Sequence, residues 1–278
     1  MTTVLLVRHG LTAATGHTLS GWTPGIPLDD RGRAQAQALG TRLAGLPLDA
    51  IISSPLDRCY QTAEAIAAAG QYQPAQGAPA QGAPAQDRPG QDRPGQDRPA
   101  VQTDQRFGEY RYGDWTGQEL KVLAKEPLWQ VVQAHPSAVR FPGADGESML
   151  DVQHRAVAAV RDWNSRLGEA ATYLICSHGD VIKALIADSL GLHLDLSQRI
   201  QADPCSLTVI RYTPLRPFLL RMNDTGGGVA DLMPREGETE GAGQPEVGQS
   251  DAVIGGGAGA APVPAAGAVP EHSADARG

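Results

Sequence analysis

An α/β fold with a largely parallel central sheet is predicted by two observations on this sequence. Short apolar runs and amphipathic stretches follow one another in the order strand, helix, strand, helix, helices, strand, helix, strands, and βαβ crossovers of that kind imply parallel pairing. Two of the apolar runs, Val4-Leu5-Leu6-Val7-Arg8-His9-Gly10 and Tyr173-Leu174-Ile175-Cys176-Ser177-His178-Gly179-Asp180, each end in a histidine and a glycine. In open α/β sheets ligands collect at the carboxyl ends of the strands. If these two runs are neighbouring parallel strands, both histidines meet at one site.

Residues 4–7 read as a short, fully buried strand. A Gly- and Pro-containing loop spans 11–29, and Asp29-Asp30-Arg31-Gly32 leads into a helix with Ala34, Ala38, Leu39, Leu43 and Ala44 at helical spacing. Residues 48–52 form the second strand. Ser53-Ser54-Pro55 then offers Ser54 as N-cap and Pro55 as first helical residue, and the helix places Leu56, Cys59, Ala63, Ile66 and Ala67 on one face. A loop over 103–117 precedes a helix around 118–134, and a second loop rich in Pro and Gly follows. Met149, Val152, Ala156, Val160 and Trp163 share one face of a helix over 147–167; 172–176 is a strand, 180–190 a helix, and 206–212 with 218–222 a closing pair of strands.

Two stretches lack the large apolar side chains that offset chain entropy. Residues 71–100 carry a five-residue tandem (AQGAP, AQGAP, AQDRP, GQDRP, GQDRP), and 223–278 are mostly Gly, Ala, Pro and acids. Both are expected to be disordered, leaving roughly 190 residues of the 278 as one domain over 1–222, interrupted by the insert. The tail holds nine acids against two arginines, so −7 of the net −8 belongs to it and the folded part carries about −1. With no basic stripe, a nucleic-acid partner is not expected. No run approaches the ~18–20 apolar residues of a membrane span, and the short apolar opening, which leads straight to Arg8, is not expected to be a signal peptide. Cys59, Cys176 and Cys205 lack metal-type spacing, and a reducing cytoplasm fits all of this.

The chemistry sits in four segments. A neutral imidazole nitrogen of His9 can attack phosphorus, while Arg8 holds its pKa down and binds phosphate oxygens. In a regular strand Arg8 and His9 would face opposite sides, and Gly10 offers backbone freedom for a turn. Arg58, in the first turn of a helix whose N-terminus already attracts anions, presents a planar fork. His178 repeats the strand-end setting and suits hydrogen bonding to a transferring phosphoryl group. The loop Phe107-Gly108-Glu109-Tyr110-Arg111-Tyr112-Gly113-Asp114-Trp115-Thr116-Gly117 supplies carboxylic acids for a leaving alkoxide, Glu109 first and Asp114 not excluded by spacing. No P-loop is present, and metal-ligand clusters are missing.

With these residues assembled, the chain resembles the histidine phosphatase, or phosphoglycerate mutase-like, superfamily. The resemblance rests on Arg8-His9-Gly10-Leu11-Thr12; Ser20-Gly21-Trp22; Pro27-Leu28, Gly32 and Ala36; Ser53-Ser54-Pro55-Leu56-Asp57-Arg58-Cys59-Tyr60-Gln61-Thr62-Ala63; Glu109 with Gly113-Asp114-Trp115-Thr116-Gly117; Gly146-Glu147-Ser148; and Ser177-His178-Gly179. It covers about residues 1–222 apart from the repeat. It implies a three-layer α/β/α fold with a mostly parallel sheet, His9 as phosphorylated nucleophile, Arg8, Arg58 and His178 as phosphate pocket, Glu109 as proton donor, and no metal or organic cofactor. Thr15 stands where many members have an asparagine that helps bind phosphate; Ser20, Gly21, Tyr112 and Gly179 are the further substrate-binding candidates. Residues 118–142 offer Lys121, Lys125 and Arg140 but no adjacent arginine pair such as the mutases carry, and the 109–117 and 146–148 segments are more like the phosphatase branch. A related actinobacterial group is commonly labelled as probable phosphomutases. The expectation is therefore a phosphatase acting on a small phosphorylated metabolite, with mutase activity as the alternative and a non-catalytic phosphate-binding module as a third.

Overall fold

The alternation of apolar side chains in the first strand assigns its two faces. Val4 and Leu6 join one buried cluster, while Leu5 and Val7 join another on the opposite side of the sheet, as a two-residue period on a doubly covered strand requires. The computed structural model describes residues 1–70 and 101–226. The expected disorder of 71–100 lies outside the described residues, as does that of the tail beyond 226.

Six strands make one mixed sheet: β1 (Thr2–Arg8), β2 (Ala50–Ser53), β3 (Gln102–Thr103), β4 (Thr172–Ser177), β5 (Leu207–Tyr212) and β6 (Pro217–Asp224), in the order β3-β2-β4-β1-β5-β6. The first four run parallel, and β5 and β6 are antiparallel additions at one side. Helices α1 (Asp30–Leu43) and α2 (Asp57–Ala69) pack Leu39, Leu43, Cys59, Ala63 and Ile66 against Leu5, Ile51 and Leu174. On the other face, α5 (Met149–Leu167) and α6 (Gly179–Ser189) bring Val152, Ala156, Val160, Val181, Ile182 and Leu185 to Val4, Ile52 and Ile175. The fold is thus the predicted α/β/α sandwich with a mostly parallel sheet.

Helix ends follow sequence chemistry. Asp29 caps α1 by accepting from the Gly32 N–H at 2.7 Å. Ser148 and Asp151 form a reciprocal capping box on α5, a motif that stabilises a helix by about 1 kcal/mol.

Several predicted boundaries are corrected. The helix expected over 118–134 is two helices, α3 (Leu120–Leu123) and α4 (Pro127–Ala134), because Pro127 lacks the N–H to continue the first and opens the second instead. β6 runs to Asp224, past the expected domain end at 222, and the Asp224 carboxylate pairs with Arg42 at 3.0 Å. Ser54 is not the N-cap of α2, which starts at Asp57 after Leu56 with no side-chain cap; its hydroxyl is used elsewhere. The chain leaves the described region at the C-terminal end of α2 and re-enters just before β3. α2 runs back along the sheet from the carboxyl end of β2, whereas the return enters edge strand β3 level with the last residues of β2, Gln102 opposite Ile52 and Thr103 opposite Ser53.

Candidate active site

β1 and β4 are adjacent and parallel, with Arg8 level with Ser177. His9 and His178 therefore each stand one residue beyond paired positions, and their rings meet edge to face with centroids 5.3 Å apart. The regular strand stops at Arg8, although the His9 N–H still reaches the Ser177 carbonyl at 3.0 Å. Release from strand geometry lets both Arg8 and His9 line one cleft. Gly10 serves this by close approach, not by an unusual backbone angle. A Cβ there would lie 2.6 Å from the Gly32 carbonyl oxygen, and a Cβ on Gly32 would lie 2.0 Å from that of Leu11, so two glycines let the turn after His9 rest on the first turn of α1.

The hydrogen bonds of His9 define its tautomer. Nδ1 is 2.7 Å from the Gly10 carbonyl and must donate to it, and Arg58 Nε donates to Nε2 at 3.3 Å. Nε2 therefore carries the lone pair. Burial, reinforced by Arg58 and Arg8, pushes the His9 pKa well below its usual 6.5, so the ring is neutral at physiological pH.

Arg58, buried in the first turn of α2, reaches back to the Gly21 carbonyl at 2.9 Å and His178 Nδ1 at 3.3 Å. His178 is fully buried, with Nε2 2.8 Å from Ser54 Oγ, and this is what takes the serine from the helix cap. Desolvation, then Arg58, drives the His178 pKa well below 6.5. Arg8 donates to the Ala202 carbonyl at 2.8 Å.

Glu109 is 3% exposed and 3.6 Å from His178 Nδ1. Burial, with a contribution from the Asp180 charge, raises its pKa to about 7. Its backbone carbonyl accepts from Trp22 Nε1 at 2.6 Å and from Arg155 Nη2 at 2.9 Å, which uses both lone pairs. Arg155 also donates to the carbonyls of Arg106 and Gly108 and forks onto Glu147. Glu147 in turn accepts from the Arg111 N–H at 2.9 Å, and its own N–H donates to the Arg111 carbonyl. A guanidinium from α5 thus fixes the backbone on both sides of Glu109.

The cleft is lined by Arg8, His9, Arg58 and Glu109 together with Thr15, Ser20, Gly21 and Tyr112 from the expected set. His178 and Gly179 are outside this lining, and His178 stands against His9 and Arg58. The expectation did not include Thr12, Gly16, Thr18, Leu19 and Leu120, which line it too. The Thr15 hydroxyl meets Thr12 Oγ1 at 2.9 Å. Asp114, the other acid in the loop, is exposed and outside the lining. Sequence reasoning also missed Arg155, Ser54 and the buried Asp180–Lys183 pair at 3.1 Å; the i, i+3 spacing of the last was its only signal.

No described helix is long and apolar enough to cross a membrane. Comparison with known proteins agrees with the geometry. The family model of the histidine phosphatase superfamily (branch 1) matches residues 4–78 and 94–225. A Proteus mirabilis protein named probable phosphoglycerate mutase GpmB is 30% identical over 238 residues, spanning 84% of this chain and 95% of the relative. YhfR of Bacillus stearothermophilus superposes with a TM-score of 0.64 at 28% identity, covering 81% of this chain and 98% of its own. A mycobacterial glucosyl-3-phosphoglycerate phosphatase shares the fold at a TM-score of 0.61 and 23% identity, covering 80% and 98%.

Proposed function

Because the chain belongs to the histidine phosphatase superfamily, we propose that it hydrolyses a small phosphomonoester through a phosphohistidine on His9. The observation that carries this reading is the His9 tautomer: Nδ1–H is committed to the Gly10 carbonyl, leaving the Nε2 lone pair beside Arg58 in the cleft. A neutral, fixed imidazole is the form a nucleophile needs.

In the first step Nε2 attacks phosphorus in line while the bond to the leaving oxygen breaks. Glu109, half-protonated near pH 7, delivers its proton to that oxygen. Arg8 and Arg58 balance the charge on the non-bridging oxygens. His178 holds Arg58 from behind, which makes it a positioning residue in this free state. In the second step Glu109, now a carboxylate, takes a proton from water as the water attacks phosphorus. The P–N bond breaks, inorganic phosphate leaves, and Glu109 and His9 return to their starting states. Three free cysteines, all buried, fit a reducing cytoplasm.

His9→Ala tests this directly. We expect loss of nearly all phosphatase activity and of an acid-labile phosphoenzyme trapped by rapid quench; retention of either overturns the mechanism. The GpmB-type relatives favour a second reading, phosphoglycerate mutase activity. Incubation with 3-phosphoglycerate and a bisphosphate primer separates the two, by whether 2-phosphoglycerate or free phosphate accumulates.

A further inference from the structure

The outer wall of the cleft carries hydroxyls and apolar surface in place of charge. Loop 12–20 and the segment before α3 are joined edge to edge: Leu19 N–H to the Gln118 carbonyl at 2.9 Å, Gly117 N–H to the Leu19 carbonyl at 2.8 Å, and Leu120 N–H to the His17 carbonyl at 2.9 Å. This stitching puts Thr15, Thr18, Ser20, Leu19 and Leu120 in one lining. Among the described residues, the hydroxyls of Thr18 and Ser20 make no hydrogen bond within the protein. They can both donate and accept.

Cations are the other half of the argument. Among the described residues, Arg8 and Arg58 are the charged donors of the lining, and a transferring phosphoryl group occupies both. Neighbouring bases have partners of their own. Arg111 stacks over the Trp22 ring at 4.2 Å, and Lys121, 81% exposed, pairs with Glu119 at 2.6 Å. A second phosphate or a carboxylate on the leaving group would enter a wall that, among the described residues, holds no compensating charge. Unpaired charge in such a place is costly, whereas an alcohol finds two free hydroxyls and the half-buried Leu120.

We propose that the substrate is a monoester whose leaving group is an uncharged, hydroxyl-bearing alcohol, seated on Thr18 and Ser20, and that esters carrying a carboxylate or second phosphate are selected against. This rests on the phosphatase reading. It also sets the chain apart from the glucosyl-3-phosphoglycerate phosphatase that shares its fold.

The test compares sn-glycerol 1-phosphate with D-3-phosphoglycerate, three-carbon monoesters of the same arrangement at C2 that differ at one terminal group, using p-nitrophenyl phosphate as reference. We expect kcat/KM for the glycerol ester to exceed that for the glycerate by about tenfold or more, the usual scale for an uncompensated charge at a binding surface. Thr18→Lys, which adds a cation to the wall, is expected to narrow or invert that ratio. Equal or better hydrolysis of 3-phosphoglycerate by the parent protein overturns the inference and leaves the phosphatase reading standing. Hydrolysis of none of the three esters overturns the phosphatase reading instead.

Discussion

Replacing Arg155 by lysine tests whether Glu109 works because its backbone is held. The guanidinium makes five hydrogen bonds, three to the carbonyls of Arg106, Gly108 and Glu109 and two to Glu147, all between 2.7 and 3.0 Å. An ammonium radiates its donors from one point and cannot span that arc. If two contacts survive, three are lost at about 0.5–1.5 kcal/mol each, so stability falls by about 2–4 kcal/mol. For a domain of this size that lowers Tm by about 5–15 °C. Activity suffers separately. A shift of the acid by about 1 Å costs on the order of 100-fold in rate, and the loss should depend on the leaving group. An alkoxide must be protonated as it leaves, whereas p-nitrophenolate departs without help. Initial rates well below the lowered Tm should show kcat for sn-glycerol 1-phosphate falling on the order of 100-fold, with p-nitrophenyl phosphate changed by less than about threefold. Equal losses on both esters would mean that Arg155 only stabilises the fold. An unchanged glycerol phosphate rate would mean that Glu109 does not need the clamp.

Protonation of Glu109 predicts the basic limb of the pH profile. Its raised pKa of about 7 means the acid form is present below that value and lost above it, so kcat for alkyl esters should fall as pH rises through about 7. Glu109→Gln should remove that limb and lower the alkyl ester rate by about 100-fold or more, as read by phosphate release across a pH series. A parent profile flat up to pH 9 would exclude Glu109 as the acid. Gly32→Ala, whose new Cβ would sit 2.0 Å from the Leu11 carbonyl oxygen, must push back the turn that follows His9. We expect a stability loss of about 1–3 kcal/mol in urea titration together with reduced phosphoenzyme formation; full activity would show that the turn relaxes without moving the nucleophile.

What the sequence disclosed and what it hid differ in range. β1 and β4 are legible because each is a run of apolar residues closed by His-Gly, and parallel neighbours with matched ends must bring those histidines together. Arg58 is legible for a similar reason, since a strand followed by a helix start points it at the same rim. Ser54 misleads because Ser-Pro before a helix is a strong local capping pattern, and only the fold reveals that His178, far along the chain, claims the hydroxyl. Arg155 is hidden more deeply. It lies on α5 among residues spaced for an ordinary amphipathic helix, and its carbonyl partners come from a loop more than 40 residues earlier. No local periodicity marks such a contact. Gly10 was legible as important but for the wrong reason, because sequence alone cannot separate a needed dihedral from a needed absence of Cβ.

The exit after α2 and the return into β3 have a practical consequence. The exit follows the C-terminal end of α2, the far end of that helix from Arg58, and the return enters edge strand β3, which β2 and β4 separate from β1 and His9. Loop-closure entropy grows only logarithmically, about 0.6 kcal/mol for each doubling of length, so this joint is a cheap place for the polypeptide to gain or shed residues. The same joint offers a natural port for engineering: a reporter or affinity module spliced between Gly70 and Val101 would join the chain past the far end of α2 and at an edge strand two strands removed from β1.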